Sequence, residues 1–135
     1  TASTVVLGAL ASRDWRPMHH DRDFAINHNG TRDIFLNTPN QAAWFERYVT
    51  DWTGPTGRLG RMTFRMNTSV FPGDLMAFGA TVTHVGTDDV GCGWIDLDVA
   101  LTVGDVVATT CATRVAVPVD AQDNPWSRRC DDWRP

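Results

Sequence analysis

Asp14 and His19 stand five positions apart in Arg13-Asp14-Trp15-Arg16-Pro17-Met18-His19-His20-Asp21, with a proline between them. A carboxylate and an imidazole held by a short, stiff loop can converge on one water molecule. One group orients the water while the other takes up or returns a proton, the work of a general acid–base pair. Solvated loops also bring Asp and His together, so the pair gains meaning only from the elements around it.

Composition narrows the chemistry. The chain has 135 residues, a net charge of -4 and 42% apolar or aromatic residues. That describes one globular domain long enough to bury a core without staples. No basic stripe appears, so nucleic acid is not an expected partner. All 12 basic residues are Arg. Schiff-base and Lys-nucleophile mechanisms are therefore excluded, as is a P-loop lysine. Glu46 is the lone Glu among 16 acidic residues, so a carboxylate base would be an Asp. Cys92, Cys111 and Cys130 are odd in number and widely spaced, which fits reduced thiols in a cytoplasmic protein. His19, His20, His28 and His84 form no metal-ligand spacing, and neither a metal nor a cofactor is expected. No apolar run reaches the ~18 residues of a membrane span, and no signal-peptide pattern is visible.

The pair must be positioned by its neighbours. Thr4 to Ala11 is short, apolar and β-branched at its start, and reads as a strand that places Asp14 at a strand end. Residues 12 to 38 form a long connection, with a short helix expected after Asp21 as cap. Thr38-Pro39 opens the one strong helix, with Thr38 as N-cap and Gly54-Pro55 as its stop. Trp44, Phe45, Tyr48, Val49 and Trp52 recur along it at helical spacing. From Arg58 onward the period is two: strands are expected over Arg58 to Asn67, Leu75 to Val85, Gly93 to Leu101 and Val106 to Val117. The fold class is α+β, with one sheet of five or more strands around one helix. A single helix cannot cover such a sheet, so a second copy or a partner is expected on it. Residues 1 to 119 form the domain. Residues 120 to 135 form a polar tail whose Trp126 and Trp133 could lie across the domain or a partner.

Asp14-x-Arg16-Pro17-Met18-His19-His20-Asp21-x-x-Phe24-Ala25 resembles the D-x-N-P-x-H-x-D-x-x-F-A signature of MaoC-like (R)-specific enoyl-CoA hydratases. Val70-Phe71-Pro72-Gly73-Asp74 is similar to the P-V-F-P-G-D segment of the same family. The element order matches its hot dog fold, a long helix wrapped by an antiparallel sheet. Arg13-Asp14-Trp15, His19-His20-Asp21-Arg22-Asp23, Asp33-Ile34-Phe35-Leu36-Asn37 and Arg47-Tyr48-Val49-Thr50-Asp51-Trp52-Thr53-Gly54-Pro55 look most like the small catalytic subunit of heteromeric actinobacterial steroid side-chain hydratases.

The resemblance implies an enoyl-CoA hydratase with Asp14 and His19 as catalytic pair. It places an oxyanion-binding backbone N–H at Asn37, beside Thr38. The implied substrate is an α,β-unsaturated acyl-CoA, a steroid side-chain thioester in cholesterol catabolism. The implied partner is a larger MaoC-like hot dog subunit, as in a heterotetramer. The chain departs from the family at Arg16, where the signature has Asn, and at Leu36-Asn37, where His-Gly is usual. Two alternatives stand beside this reading: a hot dog acyl-CoA thioesterase, and a non-catalytic hot dog partner subunit. Glu46 is similar to the helical acid of hot dog thioesterases, but it sits beside the apolar stripe and reads as surface. Arg61 and Arg65 either meet CoA phosphates or line a solvated strand face.

Overall fold

The computed structural model describes all 135 residues. The chain opens with helix α1 (Ala2–Ala11), followed by a single 3-10 turn at Pro17–His19 and a short helix α2 (Arg22–Asn27). The long helix α3 (Thr38–Thr53) leads into strands β1 (Arg58–Met66), β2 (Met76–Thr87), β3 (Gly93–Val103) and β4 (Val106–Val117). All pairings are antiparallel, in the order β1-β4-β3-β2.

The α+β class, the single long helix and the four C-terminal strands agree with the sequence expectation. The first element does not. Thr4 to Ala11 is helical, so the sheet has four strands rather than five or more, and Asp14 follows a helix end rather than a strand end. Tertiary packing overrides the β-branched preference here. Val5 and Ala9 are buried at i, i+4 spacing, Thr1 and Thr4 form a reciprocal capping box, and Asn40 Nδ2 donates to the Thr4 carbonyl at 3.2 Å. Gly8 lets α1 approach α3 closely, since a methyl group there would collide with the Asn40 side chain.

The long helix is capped by Asn37 rather than by Thr38. Asn37 Oδ1 accepts from the Asn40 N–H at 3.1 Å, and Thr38 and Pro39 are the first two helical residues. Asn37 stays extended (φ -78°, ψ 165°), as an N-cap residue does, before the chain turns into the helix. At the other end Gly54 takes φ 74°, a left-handed conformation that costs glycine nothing, and its N–H closes on the Thr50 carbonyl.

Gln41, Phe45 and Val49 form the buried stripe of α3. The Phe45 ring meets Phe64 of β1 and Phe78 of β2 edge-on, at centroid distances of 5.3 and 5.1 Å. These strands lie at opposite edges of the sheet, so one ring touching both records how tightly the sheet curls around the helix. Irregular register at Leu59/Arg61, Val82/His84 and Leu101/Thr102 supplies the curvature. Burying such a ring fully contributes about 2–3 kcal/mol.

Residues 120 to 135 lie back across the sheet. Trp133 packs on Trp94, and the Arg58 guanidinium sits 3.6 Å from the Trp133 ring centre while donating to the carbonyls of Pro125 and Arg128. Below this strap, Asp88 accepts from the N–H groups of Val90 and Cys92 and from Trp94 Nε1. Burial pushes the Asp88 carboxyl up, but those hydrogen bonds and the nearby Arg128 charge outweigh it, so its pKa lies below the ordinary value. A lowered folded-state pKa means that the stabilisation is fully present above the unfolded value of about 4 and is lost as pH falls through the folded value. In urea titrations the unfolding midpoint should therefore hold level from pH 7 to 5 and drop below pH 4. Asp88→Asn should lower the midpoint at neutrality and flatten the acid drop. An unchanged acid slope in that variant would assign the sensitivity to other carboxylates.

Candidate active site

The end of α1 sets Asp14. Arg13 takes φ 54°, and its N–H donates to the Leu10 carbonyl while the Asp14 N–H reaches back to Ala9 at 2.9 Å. This is the six-to-one closure of a Schellman motif, with Arg in the left-handed position that Gly usually takes. The turn aims Asp14 inward, and its side chain is only 9% exposed.

Pro17 then starts the 3-10 turn that ends at His19. His19 is buried, and its Nδ1 lies 2.8 Å from the Phe35 carbonyl oxygen. A carbonyl only accepts, so Nδ1 carries the proton and, in the neutral ring, Nε2 presents a lone pair. Phe35 also packs edge-on against the imidazole at 4.8 Å, and Phe71 packs against Phe35 at 6.1 Å. The Leu36 N–H donates to the Val70 carbonyl, and Asp74 accepts from the Phe71 N–H. The Val70–Asp74 segment thus acts from behind: it holds the Phe35 segment that holds His19.

His19 Nε2 faces Asp14 Oδ2 at 3.6 Å. That separation is too long for a direct hydrogen bond and leaves two acceptors side by side. A water donating one proton to each would be gripped on both O–H bonds, with its lone pairs directed outward.

Asn37 completes the cluster. Its Nδ2 donates to Asp14 Oδ2 at 3.0 Å and to Ser12 Oγ at 2.8 Å, while its Oδ1 caps α3. The backbone N–H groups of Asn37 and Thr38 donate to nothing within the chain. They lie at the positive end of the helix dipole, on the wall of a cleft of about 290 Å3 that is also lined by Met18, His19, Phe35, Gln41 and Met66. Asp14, His19, Asn37 and Thr38 are therefore brought together. The sequence points to Asn37 for its backbone alone and gives no hint of its side chain's role, nor of Gln41 and Ser12. The i, i+4, i+8 row of Gln41, Phe45 and Val49 is the available signal, because a polar residue leads a buried stripe.

Arg16 forks onto Asp14, with Nε 2.9 Å from Oδ1 and Nη2 2.8 Å from Oδ2. The Arg16 hydrogen bond is the largest influence on Asp14; burial opposes it and Asn37 adds to it, and together they hold the carboxyl far below the usual carboxylate range. Titrated by carbon NMR of labelled aspartate, Asp14 should stay ionised well below pH 4. Arg16→Asn should move its midpoint up toward the ordinary ~3.9. An unmoved midpoint would mean that Asn37 alone holds the charge.

The helix wrapped by an antiparallel sheet, with a loop-borne Asp and His at the helix N-terminus, defines a hot dog domain of the hydratase type. No known protein-family profile matches the chain. A stretch of 81 residues is 38% identical to the 3-oxo-4,17-pregnadiene-20-carboxyl-CoA hydratase beta subunit of Mycobacterium tuberculosis (strain ATCC 25618 / H37Rv). That stretch covers 60% of this chain and 62% of the relative, less than two thirds of its length. A chain of the ChsH1-ChsH2 complex from Mycobacterium tuberculosis superposes with a TM-score of 0.79 at 30% identity, over 86% of this chain and 87% of that one. The (R)-hydratase from A. caviae involved in PHA biosynthesis superposes at 0.76 with 22% identity, over 87% of both chains, and so shares the fold. The chain belongs to the MaoC-like hydratase family, as its two motifs implied.

Proposed function

We propose that the chain is the catalytic small subunit of an enoyl-CoA hydratase, adding water to an α,β-unsaturated acyl-CoA with a bulky, steroidal acyl group. One observation carries the reading: Asp14 Oδ2 and His19 Nε2 converge as paired acceptors, 3.6 Å apart, beside a helix N-terminus with unused N–H groups.

The chemistry follows from the geometry. A water held between the two acceptors gives up a proton as its oxygen bonds to the β-carbon. The C=C electrons move onto the thioester oxygen, which the N–H groups of Asn37 and Thr38 stabilise. When the C=O re-forms, the α-carbon takes a proton from the pair, and the atoms of one water have been added. The free Nε2 lone pair suits His19 to proton transfer. Asp14, clamped by Arg16, is a weak base; it takes the proton only once the guanidinium swings away, and the Arg16 side chain, 63% exposed, has room to do so.

The partner in this reading is a larger MaoC-like hot dog subunit, in a heteromer such as a heterotetramer. The edge strand β2 supports this. Leu75, just before it, is 84% exposed, and Val82 and Val85 on it are exposed as well. The unpaired cysteines accord with a cytoplasmic setting. Thioesterase activity has less support, because Glu46, the helical carboxylate, is exposed and absent from the cleft wall.

The test is to purify the chain with whatever hot dog subunit accompanies it and to assay unsaturated acyl-CoAs of rising bulk. Hydration should favour bulky side chains, and Asp14→Asn should cut kcat/KM by roughly 10²–10⁴-fold without unfolding the protein. Full turnover by Asp14→Asn would sink the assignment. A preference for crotonyl-CoA would sink the steroid substrate, and release of free CoA thiol without hydrated product would favour the thioesterase.

A further inference from the structure

Gln41 lies one turn into α3, and its backbone N–H donates to the Asn37 carbonyl at 3.1 Å. The residue is 2% exposed, yet it lines the cleft beside His19, Asn37 and Thr38. Thr109 Oγ1, fully buried on β4, donates to Gln41 Oε1 at 2.7 Å. Gln41 Nε2 has no acceptor within the chain, and it is not sealed away from the cleft. A nearly buried primary amide with its N–H groups open only to the cleft is placed to donate to whatever occupies it. In the structure the Gln41 oxygen turns to the Thr109 hydroxyl on the sheet, which leaves the nitrogen to the cleft.

We propose that Gln41 Nε2 is a side-chain donor to the thioester oxygen of the substrate, adding to the backbone N–H groups of Asn37 and Thr38. The inference rests on the hydratase reading and deepens it. As water attacks the β-carbon, negative charge gathers on the thioester oxygen. A donor locked in advance by Thr109 meets that charge without reorganising, which favours the enolate-like state over the bound substrate. Gln41 also explains how a site with Asn37 in place of a glycine can hold that oxygen: the amide reaches it from the helix wall while the Asn37 side chain is occupied with Asp14 and Ser12.

The clean variant is Gln41→Leu with Thr109→Val, which removes both polar partners and leaves neither orphaned. Two measurements on the full chain with its accompanying subunit decide the matter. One is kcat and KM on the best enoyl-CoA. The other is the carbonyl stretching band of a 13C-labelled saturated acyl-CoA, which binds but cannot react. In the parent, the bound band should lie below its position for free acyl-CoA. In the double variant it should return toward the free position, and kcat should fall by about 10²-fold with little change in KM. Parent-like kcat and an unmoved band in the double variant would overturn the proposal. A parent that hydrates no enoyl-CoA would overturn the hydratase reading; the band would still judge Gln41, since a shift retained in the double variant rules out the amide as donor.

Discussion

One buried amide joins the parts of this site. Asn37 donates to Ser12 at the end of α1 and to Asp14 in the loop, and it accepts from Asn40 in the first turn of α3. Three segments of the chain therefore share one side chain. Each bond also fixes the next: with Oδ1 committed to the helix cap, Nδ2 must point at Asp14, and with Asp14 so held, Oδ2 comes within 3.6 Å of His19. An N-cap alone is worth about 1 kcal/mol. This one carries an added role, because moving the cap would move the carboxylate and the helix N–H groups together.

Arg16 introduces a tension into the same cluster. A general base works best when its pKa lies near the working pH, whereas the Arg16 fork drives Asp14 far from it. The gain is positional, since a carboxylate held by a planar guanidinium and an amide keeps one orientation without help from solvent. In the proposed reaction the labour is divided. His19, set by the Phe35 carbonyl, keeps a free Nε2 lone pair, while Asp14 supplies a fixed negative acceptor beside it. Exposed Arg16 is the movable member of the group, and burial keeps His19 and Asn37 in place.

How much of this is legible in the residues alone differs by element. The long helix and the four strands are legible because burial on one face imposes a period, 3.6 or 2, on the residue types, although of the five aromatic and apolar positions expected along α3 only Phe45 and Val49 are fully buried and Trp52 is exposed. Asp14 and His19 are legible because Pro17 and the Phe71-Pro72-Gly73-Asp74 segment surround them with recognisable spacing. The first helix is not. Thr4-Val5-Val6 is a strand former locally, and what makes it helical is the contact of Gly8 and Asn40 across 32 positions, which no local pattern encodes. Asn37, Gln41 and Ser12 are hidden for a related reason. Their work lies in hydrogen bonds to distant partners, and a buried polar residue looks the same in sequence whether or not its partner exists.

The helical start also bears on the substrate. Had Thr4 to Ala11 been a strand, it would have widened the sheet. As a helix it lies against the start of α3 and leaves Leu7 and Leu10 exposed, with Trp15 exposed just beyond. These apolar side chains follow one another along the segment that carries Asp14. The cleft itself holds about 290 Å3, the lower end of what a small ligand needs and far too little for a bulky acyl group with its CoA arm. In the proposed reaction, a chain that walls so little of its pocket needs another surface to close over the acyl group. The exposed apolar residues beside Asp14 would gain from contact with such a surface, because burying them removes apolar area from water.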